Sequence, residues 1–127
     1  MTARSVQLVE EASRMIFSAR DELESAAPAV AARKASSAML KLAQACLDVD
    51  GLSPTDASAV CVAYGEQFAR TRRLYSAYHR WLLDATDLSR AASGQVAAPI
   101  DSGSAVTAVE RAEIFRDAIE RFLERKD

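Results

Sequence analysis

Apolar residues recur every three or four positions along most of this chain, and a chain so patterned can bury its apolar side only as packed helices. The first stretch, about 3–26, sets Val9, Ile16 and Leu23 on one side, with Leu8, Ala12, Met15 and Ala19 beside them. Its opposite face carries Gln7, Glu11, Arg14 and Asp21. The second, about 29–49, follows Pro28 and joins Met39, Leu42, Cys46 and Val49 in one stripe. Asp50-Gly51 stops it, since glycine is the usual residue just past a helix end. The third begins at a capping pattern, Ser53-Pro54-Thr55-Asp56, and its periodicity runs on to about residue 90. After a loop at 91–104 with Gly94, Pro99 and candidate anchors Val96 and Ile100, a fourth helix spans about 105–125. Thr107-x-x-Glu110 reads as its capping box.

These elements predict an all-α, four-helix bundle-like single domain with antiparallel neighbours. The third helix is the anomaly. As one rod over 54–90 it would reach about 55 Å, against about 30 Å for the others. It must project beyond the bundle or break, and Thr86-Asp87 is the expected break, with Gly65 a second weak point. A projecting rod and long alanine stripes suit packing between chains, so self-association is expected.

Composition removes several classes of function. The net charge is −2, so any polyanion contact must come from a local patch rather than from the whole molecule. Cys46 and Cys61 form no C-x-x-C pair, and the expected setting is a reducing, cytoplasmic one. Met1 to Glu11 holds no apolar run and carries Glu10 and Glu11, unlike a signal peptide. No run reaches transmembrane length, so no membrane partner is expected. Abundant alanine, absent asparagine and the excess of arginine over lysine suggest a GC-rich bacterial or phage genome.

The richest segment is Arg70-Thr-Arg-Arg-Leu-Tyr-Ser-Ala-Tyr-His-Arg-Trp81. On a continuous helix, Arg70, Arg73 and Arg80 fall on the far, wet side, while Arg72 and His79 flank the apolar seam. Arg70, Arg72, Arg73 and Arg80 are therefore candidates for anion or nucleic-acid contact. Tyr75, Tyr78 and Trp81 are candidates for stacking on bases or for an interface. The competing reading is a solvated polar face over packed aromatics.

The fourth helix carries Glu110, Glu113, Asp117, Glu120 and Glu124 in one stripe. Its Glu113, Asp117 and Glu120 are interface candidates that could meet the arginine stripe of another subunit. Catalysis finds little support. His79 is the sole histidine, and Ser76 stands where a helical Glu-x-x-His metal pair would need glutamate. Neither a metal nor a cofactor is expected, and no Gly-rich phosphate loop or G-x-S-x-G elbow is present.

Two resemblances add expectations. Arg72 or Arg73 followed by His79 resembles the R-x(4–6)-H pattern of HEPN ribonucleases, which implies a nuclease or nucleotide-binding alternative built on Arg72 and His79. The stretch from about 40 to 123 resembles the small subunit of phage terminases. It has a helix, the turn Asp50-Gly-Leu-Ser-Pro-Thr-Asp56, a helix with Tyr64 and Phe68, a Gly- and Pro-containing loop and a final amphipathic helix. That resemblance implies a helical ring that recognises phage DNA, with Arg70, Arg72, Arg73 and Arg80 facing it. The functional expectation is thus a non-catalytic helical assembly or adaptor protein with a protein or homo-oligomeric partner and a link to nucleic acid. An inhibitor of a host protein would carry the same sequence signature.

Overall fold

The computed structural model of the chain describes residues 2–94 and 100–125. Val96 and Pro99 lie outside the described residues. The described chain is all helical: α1 (Ala3–Glu24), α2 (Pro28–Val49), α3 (Ala57–Tyr64), a π-helical turn (Gly65–Ala69), α4 (Ala77–Ala92) and α5 (Ser102–Arg125). Among the described residues no helix is long and apolar enough to cross a membrane.

Helix α2 is the centre of the packing. Ala31, Ala35, Ala38, Met39, Leu42, Ala45, Cys46 and Leu47 on it are fully buried, and it contacts every other α-helix. Its alanines let neighbouring backbones approach closely, which is how so short a helix buries several faces at once. Along α1 the partners run antiparallel, as a row of ion pairs shows: Lys34–Glu22 at 2.9 Å, Lys41–Glu11 at 3.0 Å and Arg4–Asp48 at 3.7 Å.

The links from α1 to α2 and from α2 to α3 are built from one local device. At the end of α2, Gly51 (φ 76°) lets the Leu52 N–H reach the Leu47 carbonyl at 3.0 Å and its own N–H reach Asp48 at 3.0 Å. At the end of α1 the same double hydrogen bond forms, from Ala27 to Glu22 and from Ala26 to Leu23. There, however, the left-handed position is Ala26 (φ 57°), and a Cβ in that conformation costs about 1 kcal/mol. Ala26→Gly should therefore stabilise the protein by about 0.5–1 kcal/mol, and Gly51→Ala should cost about 1 kcal/mol. Thermal melts of the two variants moving in opposite directions check this. A loss of stability in Ala26→Gly would show that the backbone there is not strained.

The expected long third helix is not continuous. Its N-terminus is set by Asp56, whose carboxylate accepts the Ala59 N–H at 3.1 Å, and not by Ser53. The break falls at 70–76 and not at Thr86-Asp87, where α4 runs unbroken and Thr86 is buried with its hydroxyl on the Leu82 carbonyl. Gly65, the second weak point, is where the α-helix widens into the π turn. The reason for the break is burial. A straight rod would carry its far half past its partners. Folding at 70–76 returns Leu74 and Leu82 to the core, 8% and 0% exposed. The fold back is made by Arg72, which takes the left-handed conformation (φ 57°). Helix α5 also starts earlier than expected, because Asp101 accepts the Ser104 N–H at 2.7 Å and supplies the cap in place of Thr107.

Glycine at 65 has a packing reason. A Cβ there would lie 2.7 Å from two atoms of the His79 ring. That ring is held in place, because its Nε2–H donates to the Cys61 carbonyl at 3.1 Å.

Candidate functional site

The turn at 70–76 shapes one face of the molecule. Arg73 holds it. Its guanidinium grips Asp50, the C-cap of α2, with two bonds of 2.7 and 3.1 Å. It lies over the Phe68 ring at 4.4 Å from the centroid and over Phe122 at 5.7 Å. Arg73 therefore ties the turn to α2, to the π turn and to α5 together. The hydrogen bond to Asp50 also pushes the Arg73 pKa up.

Next to this clamp is a groove of about 500 Å³, lined by Arg72, Arg73, Leu74, Tyr75, Ser76, Tyr78, Ala118, Arg121 and Arg125. Among the described residues no acidic side chain lines it. Arg72, Arg121 and Arg125 are exposed and make no ion pair among the described residues. Arg121 and Arg125 sit one turn apart on α5, so they present two guanidinium groups on one face. Tyr75 and Tyr78 form the groove's aromatic wall. Tyr75 meets Tyr78 edge to face at 5.3 Å, and Tyr78 in turn meets Trp81 at 5.2 Å and Phe115 at 5.5 Å. Three unpaired cations, a clamped fourth and an aromatic wall suit an anion that also offers a flat ring.

The sequence placed some of these residues and missed others. Arg72, Tyr75 and Tyr78 line the groove, while the half-buried Trp81 lines a separate cleft. The arginine stripe expected on a continuous helix does not exist, because the helix breaks inside it. Arg70 lines a separate cleft with Val62, Gly65, Glu66 and His79. Arg73 is engaged by Asp50, and Arg80 pairs with Asp84 at 3.1 Å on the outside of α4. Arg72 and His79 line different clefts, so the structure does not bring together the Arg–His pair of the nuclease alternative. Arg121 and Arg125 are the residues the sequence reading missed. Asp117 stands at helical spacing from Arg121, but it bonds Arg116 at 3.3 Å and leaves Arg121 free of it. Glu113 forms an ion pair with Arg20 of α1, and Glu120 lies half-buried on α5.

Other parts of the molecule offer less. A cleft of about 550 Å³ between α2, α4 and α5 has a Met39, Ala85, Leu88 and Ala108 floor. Its one cation, Arg111, already bonds Asp84 at 3.2 Å and lies over Trp81. Burial pushes the thiols of Cys46 and Cys61 up and so away from the nucleophilic thiolate form. Among the described residues no group of three or more His, Cys, Asp or Glu could hold a metal ion. Neither a family model nor a curated protein matches the chain.

Proposed function

We propose that this chain is a non-catalytic helical adaptor that docks on nucleic acid through the groove beside the 70–76 turn. Arg72, Arg121 and Arg125 supply the phosphate contacts. One observation carries this reading: among the described residues, three arginines with no carboxylate partner converge on a groove with no acidic lining. In a chain of net charge −2, like charges left unpaired side by side repel each other, and an anion relieves that repulsion.

Fluorescence anisotropy with a labelled oligonucleotide tests it. Contact with about three phosphates should make the logarithm of affinity fall with log salt at a slope of about −2 to −3. The triple variant Arg72→Ala/Arg121→Ala/Arg125→Ala should lose nearly all of that binding and its salt dependence, with helicity unchanged. Binding that survives the triple substitution would eliminate this reading.

Self-association belongs to the same proposal, on a different face. Phe17 of α1 is 73% exposed and Ile114 of α5 is 47% exposed, apolar side chains fit to meet a second copy. Light scattering of the same samples at about 50 and 500 mM salt separates this from the acidic-stripe model, since only charge pairing is strongly screened. The apolar contact predicts an oligomer mass that does not fall with salt, and a monomer at both concentrations excludes it.

A further inference from the structure

The groove contains a feature that phosphate contact alone does not use. Tyr75 is 64% exposed, and yet it is not a loose side chain. Its ring stands at 89° to Tyr78, and Tyr78 is wedged between Trp81 and Phe115. The backbone under it is fixed by the Arg73–Asp50 clamp two residues before it and by Leu74, buried in the core. A rigid aromatic face held open to solvent beside unpaired guanidinium groups is a platform for another flat ring.

From this we infer that the groove takes single-stranded rather than duplex nucleic acid, with one unpaired base stacked on Tyr75 and the flanking phosphates on Arg72, Arg121 and Arg125. The inference rests on the reading of the groove as a nucleic-acid site. It adds the class of strand and the residue that selects it. Three considerations favour the single strand. In a duplex the faces of the bases are stacked on one another, so only a base freed from pairing can lie flat on Tyr75. The site is a shallow groove formed between the 70–76 turn and one face of α5, a shape that a flexible single strand can follow. Among the described residues its polar lining is guanidinium and hydroxyl groups with no amide side chain, which serves phosphates and ring faces and offers paired adenine edges no bidentate partner.

The test compares three labelled probes on the whole protein: a short oligo-thymidine, the same strand with abasic sites in place of the bases, and a hairpin duplex of equal phosphate number. The wild type should bind the oligo-thymidine at least tenfold more tightly than either of the others. Tyr75→Ala should weaken binding of the oligo-thymidine by about five- to a hundredfold and leave the abasic and duplex affinities where they were. Tyr75→Phe keeps the ring and should restore the wild-type value. Tyr75 is exposed, so these variants fold. Salt-sensitive binding that is equal for all three probes, or that ignores Tyr75→Ala while the arginine variant still weakens it, overturns the single-strand inference and leaves the phosphate groove standing. No binding of any probe by the wild type removes both.

Discussion

Phe115→Ala should lower stability by about 3–5 kcal/mol, the range for emptying a fully buried phenylalanine site. In a domain of this size that corresponds to a fall in melting temperature of roughly 10–20 °C. Phe115 is 0% exposed and sits where three elements meet. Its ring meets Tyr64 of α3 edge-on at 5.6 Å and Tyr78 of α4 at 5.5 Å. Helix α5 meets α4 at few points, so this ring is a large part of what joins the two helices. Beyond the cavity, the substitution removes the support behind Tyr78 and hence behind Tyr75. The variant should lose affinity for the oligo-thymidine even below its melting temperature. The companion Tyr64→Phe calibrates the effect. Among the described residues the buried Tyr64 hydroxyl has no hydrogen-bond partner, so removing it abandons no such bond and relieves a desolvated oxygen. That variant should be as stable as the wild type or more so. Urea or thermal unfolding of both checks the pair, and a cost below about 1.5 kcal/mol for Phe115→Ala would mean that the site collapses and the aromatic hub is not a hub.

Arg73→Ala should cost about 2 kcal/mol. The two hydrogen bonds to Asp50 contribute about 1 kcal/mol at this partial exposure, and stacking over Phe68 and Phe122 contributes a similar amount. The substitution also leaves Asp50 at the C-terminal end of α2, where the helix dipole disfavours a negative charge. A double-mutant cycle with Asp50→Ala should return a coupling of about 1 kcal/mol. The more telling readout is binding. Arg73 commits its charge to Asp50, so its value to the groove lies in holding Arg72 and Tyr75 where they are. Arg73→Lys separates the two contributions. Lysine keeps a positive charge but has neither the fork nor the flat face. Affinity for oligo-thymidine should therefore fall nearly as far in Arg73→Lys as in Arg73→Ala. Full recovery by lysine would show that Arg73 acts through its charge alone, against the clamp described here.

Both predictions turn on the segment the sequence described least well. Residues 54–90 carry an unbroken helical periodicity, and nothing between Arg70 and Ser76 is a glycine or a proline. The break depends on Arg72 entering a left-handed conformation against its local preference. What offsets that cost is distant in sequence: Asp50 for Arg73, Phe122 beneath its guanidinium, and the core that receives Leu74. Similarly, Asp117 stands at favourable spacing from Arg121, a pairing worth only a few tenths of a kcal/mol. So weak a preference is readily overridden, and Asp117 turns to Arg116.

The residues by themselves determined that this chain is helical, where α1, α2 and α5 run to within a few positions, and which of their faces are buried. Those properties come from the spacing of apolar side chains, and each turn reports its own burial. Only the tertiary structure decided that α3 and α4 are two helices, and that Arg72 shares a groove with Arg121 and Arg125 in place of a stripe with Arg70 and Arg80. A site assembled across a turn and a helix some 50 residues further on depends on how elements dock, and that is settled by the summed contacts of the core, which no local window contains.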